Sequence, residues 1–461
     1  MPDTANANQG PHAGRTSTRC LALCGVMVVV LATACGAATL RPSASASRPG
    51  RPSASPTPAS ASPTAQPSDL LAGVTANSAD VQASADAGNA LTLDLLQQLA
   101  SSQPDANFVD SAYSLATVLA MLELGAKGDT QTQIAAVLGS AGVSPALQAA
   151  AWKQLDASLL ATAQGDGISL DDANAIWLQQ GLPFNTTFLS TLVQNFSAPS
   201  SQVDFRGDPQ SAANLINQWV SSATDGMIPT VVSPDDVQQC LMVLADAIYF
   251  DADWEYQFWT ASTGPGPFNL EDGSQVSAQM MRYPDITPVP SYVGDEVTAV
   301  EMPYVGGHFV ADVIMPTSES LGAFIAGLTP ASLTGIEQDL TTTDYVNLTF
   351  PKFDISSSES LIPLLQALGM TDAFDGSADF SGIDGGTDLQ VGFLKQDAVI
   401  HVDEVGTTAA AATIGAGLGG GGPLPPTVDI TINKPFLFVI RDTVSGAIVF
   451  TAQVVDPTAS S

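Results

Sequence analysis

Between Thr407 and Gly422 this chain carries no charge, no proline and no side chain larger than isoleucine or leucine. In an extended strand, alternate residues share a face. One face would hold Thr407, Ala409, Ala411, Thr413, Gly415, Gly417 and Gly419, all small. The other would hold Thr408, Ala410, Ala412, Ile414, Ala416 and Leu418. Such a segment can slide between two existing strands without a steric or desolvation barrier. The same composition also describes a flexible Ala/Gly linker, so the neighbouring residues decide between the two readings.

Downstream, Pro423-Leu-Pro-Pro426 halts any strand, and Asn433–Asp442 and Gly446–Pro457 supply two further apolar strand candidates. In this setting the chain resembles the serpin family. Glu404-Val-Gly406-Thr407-Thr408-Ala409-Ala410-Ala411-Ala412-Thr413 resembles its hinge, and Pro435-Phe-Leu-Phe438 and Val454-Val-Asp-Pro457 resemble its closing blocks. Asn107 to Leu138 is similar to the family's early helix. Ile216-Asn-Gln-Trp-Val-Ser221 and Ala247-Ile-Tyr-Phe250 through Trp254 are similar to its middle. Phe350-Pro-Lys-Phe353 and Leu365–Thr371 are similar to its later part. These blocks follow the family order over residues 85 to 457.

The resemblance implies an α+β serpin fold, about nine helices around three β-sheets, with an exposed reactive-centre loop near the C-terminus. It implies a suicide inhibitor of serine, or in some members cysteine, proteases. The protease forms an acyl-enzyme with the loop, and the hinge then inserts as a new central strand of the main sheet. Small inward residues are needed for that step, and they run from Thr407 to Thr413. Counts forward from Gly406 and back from Pro435 bracket the scissile bond within Leu418, Gly419, Gly420, Gly421, Gly422, Pro423 and Leu424. No Lys or Arg lies between Glu404 and Ile432, so an elastase-like or subtilisin-like protease is expected, and trypsin is not. The alternative within the family is a non-inhibitory binding protein with an inert loop.

Two departures touch the region where the sheet opens, which by resemblance includes Ser111, Ser114 and Trp254. Asp246 stands where the family places Asn, and Gln396 where it places His. A glutamine can donate its amide to a carboxylate, so a Gln396–Asp246 contact with exchanged roles is expected. Burial would raise the Asp246 pKa unless its partners satisfy it. Asp110 replaces an apolar residue nearby.

Arg15 and Arg19 precede the apolar run Leu21–Ala34, which has the length of a signal h-region and is short for a membrane span. It ends Ala32-Thr-Ala-Cys35, similar to a bacterial lipobox although Ala32 stands where Leu is usual. The expectation is a signal peptide over 1–34, lipidation of Cys35, a Pro/Ser/Ala-rich tether over 35–80 and one domain over 81–461. The product would be a monomeric cell-envelope lipoprotein facing outward, touching membrane only through its lipid, or a secreted protein if the lipobox is unused. With Cys20 and Cys24 gone, the domain keeps Cys240 alone, so no internal disulfide can form. A net charge of −33, spread along the chain, repels nucleic acid and reads as a solubilising surface.

Helical spacing is read over Leu91–Leu99, Ser114–Leu138 (interrupted by Gly125 and Gly128) and Ala212–Val220. Strand-like runs are Ala173–Leu178, Cys240–Leu244 with Ala247–Phe250, and Phe309–Met315. Helices come early and strands late without βαβ alternation, the pattern of one α+β domain. No Gly-x-Ser-x-Gly elbow, P-loop or dinucleotide fingerprint occurs. His308 and His401, far apart with one free Cys, do not make a zinc site, and the acidic run Asp375–Asp388 lacks EF-hand spacing. The chain is read as neither an enzyme nor a cofactor or metal binder.

Overall fold

The computed structural model describes residues 69–459 except 199, 225, 227, 284–286, 343–344, 387 and 408–426. At 171–173, 200 and 245–247 it describes backbone only. Among the described residues, sixteen strands form three sheets. The main sheet runs β11 (Phe353–Ser360), β12 (Phe393–Val402), β13 (Gly406–Thr407), β4 (Met242–Asp253), β2 (Ser169–Gln179), β3 (Ser200–Val203). The second runs β1 (Phe108–Asp110), β16 (Ile448–Val454), β15 (Phe436–Asp442), β9 (Phe309–Pro316), β8 (Val297–Pro303), β7 (Ser291–Val293). The third runs β14 (Thr427–Thr431), β10 (Tyr345–Pro351), β6 (Gln275–Arg282), β5 (Gly264–Asn269). β9 and β16 are buried along their whole length, so both faces are largely apolar, with Asp312, Thr451 and Gln453 as buried polar exceptions.

The helices, in chain order, are α1 (Ser78–Ser102), α2 (Ala112–Glu123), α3 (Gly128–Val137), α4 (Pro145–Asp166), α5 (Thr186–Phe196), α6 (Pro209–Ala223), α7 (Pro234–Val237), α8 (Leu321–Gly327), α9 (Pro330–Asp339), α10 (Leu361–Ala367) and α11 (Ser381–Asp384). That is eleven among the described residues where about nine were expected; α7 and α11, four residues each, account for the difference. The segment Ser114–Leu138 divides into α2 and α3 at the interruption by Gly125 and Gly128 read from the sequence. Gly125 lies in the break, where an added Cβ would collide with the Ile383 side chain. The described chain starts at Asp69, whose Oδ1 accepts from Asn195 Nδ2 at 2.9 Å, and Leu71 is buried. Packed structure thus begins inside the stretch read above as tether.

Every residue of α2 is buried, and the helix belongs to the large core that fills one face of the main sheet. Met242, Leu244, Ile248, Phe250 and Ala252 of β4 point into that core, as do Leu394, Ala398, Ile400 and Val402 of β12. On the other face Val243, Phe393 and Val399 meet the α6 cluster, where Trp177 and Trp219 pack edge to face at 5.2 Å. The period-2 pattern of β4 and β12 therefore divides the sheet between two apolar layers.

Candidate functional site: the hinge in the main sheet

The main sheet is closed at one end and parted at the other. At the closed end β12 runs parallel to β4, Phe393 beside Val243 through Asp397 beside Ala247. At the other end β13 stands between them, with Thr407 facing Val402 on one side and Ala252 on the other, and Gly406 facing Asp253. The step along β12 from Phe393 to Val402 equals the step along β4 from Val243 to Ala252. The flanking strands keep one register throughout, so admitting a strand between them demands lateral parting and no slip.

The turn that feeds β13 is built on Asp403. Its Oδ1 accepts from the Val405 amide at 2.8 Å and the Gly406 amide at 3.3 Å. Against burial, which pushes its pKa up, His401 and these amides hold the Asp403 carboxyl below its ordinary value. The turn's carbonyls are taken from one side: Trp254 Nε1 donates to Asp403 O at 3.0 Å, the Phe258 amide to Glu404 O at 2.9 Å and the Trp254 amide to Val405 O at 2.8 Å. Gly406 is required by close approach, since an added Cβ would strike the Ala252 carbonyl oxygen.

Thr407 is fully buried. Its Oγ1 lies 2.7 Å from the Tyr304 hydroxyl, and the Tyr304 ring stacks on Trp254 with centroids 4.4 Å apart and planes at 14°. Glu404, also buried, pairs with Lys352 Nζ at 2.7 Å. Burial, the largest single influence, raises its pKa, but the hydrogen bond and charge of Lys352 together with further hydrogen bonds outweigh it, and the net direction is down. A carboxyl depressed in the fold contributes stability above its unfolded pKa and loses it as pH falls through its folded one. Because Lys352 is one-third exposed, Glu404→Gln is expected to cost about 1–2 kcal/mol at neutral pH. The cost should read as a lower urea midpoint that converges with the parent's in acid. An identical midpoint at neutral pH would mean the pair contributes nothing.

His401 is bridged by Asp354, at Nδ1, and Asp403, whose Oδ2 lies 3.6 Å from Nε2. The two carboxylates, Asp403 foremost, raise its pKa to about 9 against the opposing effect of burial. It is therefore a cation tying β11, β12 and the turn together. His308 sits in a turn with Nδ1 2.9 Å from Asp166 Oδ2. Among the described residues, no His/Cys/Asp/Glu group has metal-binding geometry.

At the closed end Gln396 holds the first turn of α2. Its Oε1 accepts from the Ser111 amide at 2.9 Å and its Nε2 donates to Ser111 O at 2.8 Å. Ser111 caps α2, its hydroxyl donating to Val449 O at 2.7 Å and accepting from the Ser114 amide at 3.4 Å. Asp246 stands beside Gln396 in register, but its side chain, and so the expected Gln396–Asp246 bond, lies outside the described residues. Cys35, Thr408 to Thr413 and Leu418 to Leu424 also lie outside them. Of the sequence-derived residues, the structure brings Glu404, Gly406 and Thr407 of the hinge together with Trp254 of the sheet-opening set, whose Ser111, Ser114 and Gln396 form a second group.

Sequence reasoning missed the hinge's partners Lys352, Tyr304, Asp403 and His401 as such. Lys352 lies in the block Phe350-Pro-Lys-Phe353, which carries no role for it in the sequence. The partners' roles follow from contacts across long sequence separations, which spacing cannot reveal.

Comparison with known proteins agrees with this architecture. The family description Serpin (serine protease inhibitor) matches residues 86–457. Leukocyte elastase inhibitor A of Mus musculus is 31% identical over 390 residues, covering 80% of this chain and 98% of that protein. A serpin-like protein of Thermococcus kodakarensis is 30% identical, covering 80% and 84%. Among solved structures, native protease nexin-1 with heparin superposes with a TM-score of 0.70 at 28% identity, covering 82% of this chain and 99% of that one. Human thyroxine-binding globulin with its ligand superposes at 0.74 and 25%, covering 82% and 100%. The chain belongs to the serpin family, a family of protease inhibitors rather than enzymes.

Proposed function

We propose that this serpin is inhibitory and acts by covalent trapping of an elastase-like or subtilisin-like serine protease. One observation carries the reading: an uncharged run of small residues continues directly from a hinge already seated between β12 and β4. Continuing the pairing of Gly406 with Asp253 and Thr407 with Ala252 would bring Ala416 beside Val243 and Phe393, at the far ends of both strands. Residues 408–416 would then fill the sheet, with Ala409, Ala411, Thr413 and Gly415 on the core side. Ile414 would face the α6 layer, where Trp219 and Phe393 offer an apolar surface. No charge would have to be buried. The second reading, a binding protein with an inert loop, draws on the likeness to thyroxine-binding globulin, but offers no reason for the run to be small throughout.

The loop supplies no cation for an acidic specificity pocket and no aromatic ring for a deep apolar one. Small apolar residues and glycines suit shallow pockets. Titrating elastase, subtilisin and trypsin with the purified protein should abolish the first or second activity and leave trypsin intact. Stable inhibition of trypsin alone would overturn the specificity reading. The glycines also weaken the far end of an inserted strand, so some turnover should accompany inhibition.

The same proposal places the protein on the cell envelope, held by a lipid on Cys35 beyond a Pro/Ser-rich tether. Cys35→Ala is expected to move the protein from membrane to soluble fractions. Identical fractionation of mutant and parent would remove the lipid anchor from the proposal.

A further inference from the structure

We infer that the end of helix α9 is held to the second sheet by a proton-dependent clasp, three carboxylates around one guanidinium, which tightens as pH falls and loosens as it rises. Arg441 of β15 donates from Nε to Asp312 Oδ2 of β9 at 2.6 Å and from Nη2 to Glu301 Oε2 of β8 at 2.5 Å. Glu337, in the last turn of α9, stands 3.6 Å from the same Nε. Among the described residues, Arg441 is the one cation paired with any of the three, so two negative charges are left over when all ionise. Their placement makes that excess costly. Glu301 and Asp312 are direct cross-strand partners, where like charges repel. Asp312 is buried, and among the described residues its Oδ1 has no hydrogen-bond partner, so a charge there is poorly satisfied. Glu337 and Asp339 close α9 with no basic residue in its last turn, against the helix dipole. Little else fastens this helix, since Leu333 is its one buried residue.

The charged groups acting on Asp312 are Arg441, Glu301 and Glu337. α8 and β16 carry no charged side chain, while α1 sends Leu96 and Leu99 to this layer and β7 its Tyr292. Burial pushes the Asp312 carboxyl up to about 7, against the opposing charge of Arg441, and burial also raises Glu337. The fold therefore holds a proton that the opened state releases. Its stability falls as pH rises from the ordinary carboxyl range and levels off above about 7. For an exported protein, as proposed above, the clasp couples α9 to the pH outside the cell.

Hydrogen exchange of the peptide Pro330–Leu340 tests the clasp in the intact protein, corrected for the intrinsic rate and followed from about pH 5 to about pH 8. Protection should fall at least about tenfold between about pH 5 and about pH 7, within the limit of about tenfold per unit for one proton, and then level off. Asp312→Asn, which cannot ionise, should change less than about twofold over the same range. Glu301→Gln removes one excess charge, so its fall should level off about one pH unit lower. α4, which packs in the main core, should show no such slope. The clasp is overturned if the parent's protection is constant with pH, if Asp312→Asn keeps the slope, or if α4 follows α9. Should Asp312→Asn fail to fold, Glu301→Gln and Glu337→Gln decide, and levelling off where the parent does in both would overturn it. None of these outcomes depends on whether the loop traps a protease.

Discussion

Thr407→Arg should convert the protein from a trap into a substrate. Position 407 is fully buried in the resting sheet, on the face lined by Tyr304, Trp254 and Phe250. Asp251 and Asp253 alternate to the other side of β4. A guanidinium stays charged in any protein setting, and burying one without a partner costs several kcal/mol. The arginine therefore keeps the hinge outside the sheet, where water solvates it, and the rest of the fold is spared. Insertion competes with deacylation, so a barrier raised by about 3 kcal/mol shifts that competition by more than about 100-fold. Protease mixed with excess variant should remain active while the loop is cut to completion. An undiminished yield of covalent complex would show that residue 407 does not pass into the sheet.

Cleavage of the loop within Leu418–Leu424 should raise the thermal midpoint. A cut frees the hinge side to enter the slot between β12 and β4, whose register already accepts it. About nine further residues would each add roughly 1 kcal/mol of net hydrogen bonding, besides the apolar surface they bury. For a domain of this size that total corresponds to a rise on the order of 10–20 °C. Scans should be compared at one heating rate, since unfolding of a large metastable protein is partly a matter of rate. A midpoint that stays level or falls after cutting would favour the inert-loop alternative.

Much of this site was legible in the sequence because its demands are local. A strand that must slip between others needs small uncharged residues, and Thr407–Gly422 shows them in one uninterrupted run. Gly406 was legible only through the family resemblance of the hinge, since the reason for it, close approach of the Ala252 carbonyl, is a contact far away in the chain. The fold was legible through ordered blocks such as Pro435-Phe-Leu-Phe438, whose strand lies in the buried second sheet. What stayed hidden depends on contacts far apart in the chain. The stack of Tyr304 on Trp254, the Lys352–Glu404 pair and the clasp of Gln396 on Ser111 join residues separated by tens to hundreds of positions. No periodicity records such pairings. The break between α2 and α3 was legible at Gly125 and Gly128, although the approach of Ile383 to Gly125 was not.

Trapping itself is tested most directly by the mass of the product formed with elastase or subtilisin. A complex that survives denaturing electrophoresis should form within the protease's normal turnover time. Its intact mass should equal the protease plus the fragment of this chain N-terminal to one cut bond between Leu418 and Leu424, less one water, because the protease serine displaces the C-terminal peptide as its free amine. The released C-terminal peptide should begin at the matching residue. Recovery of only nicked chain and fully active protease, at every ratio and with both enzymes, would contradict covalent trapping by this loop.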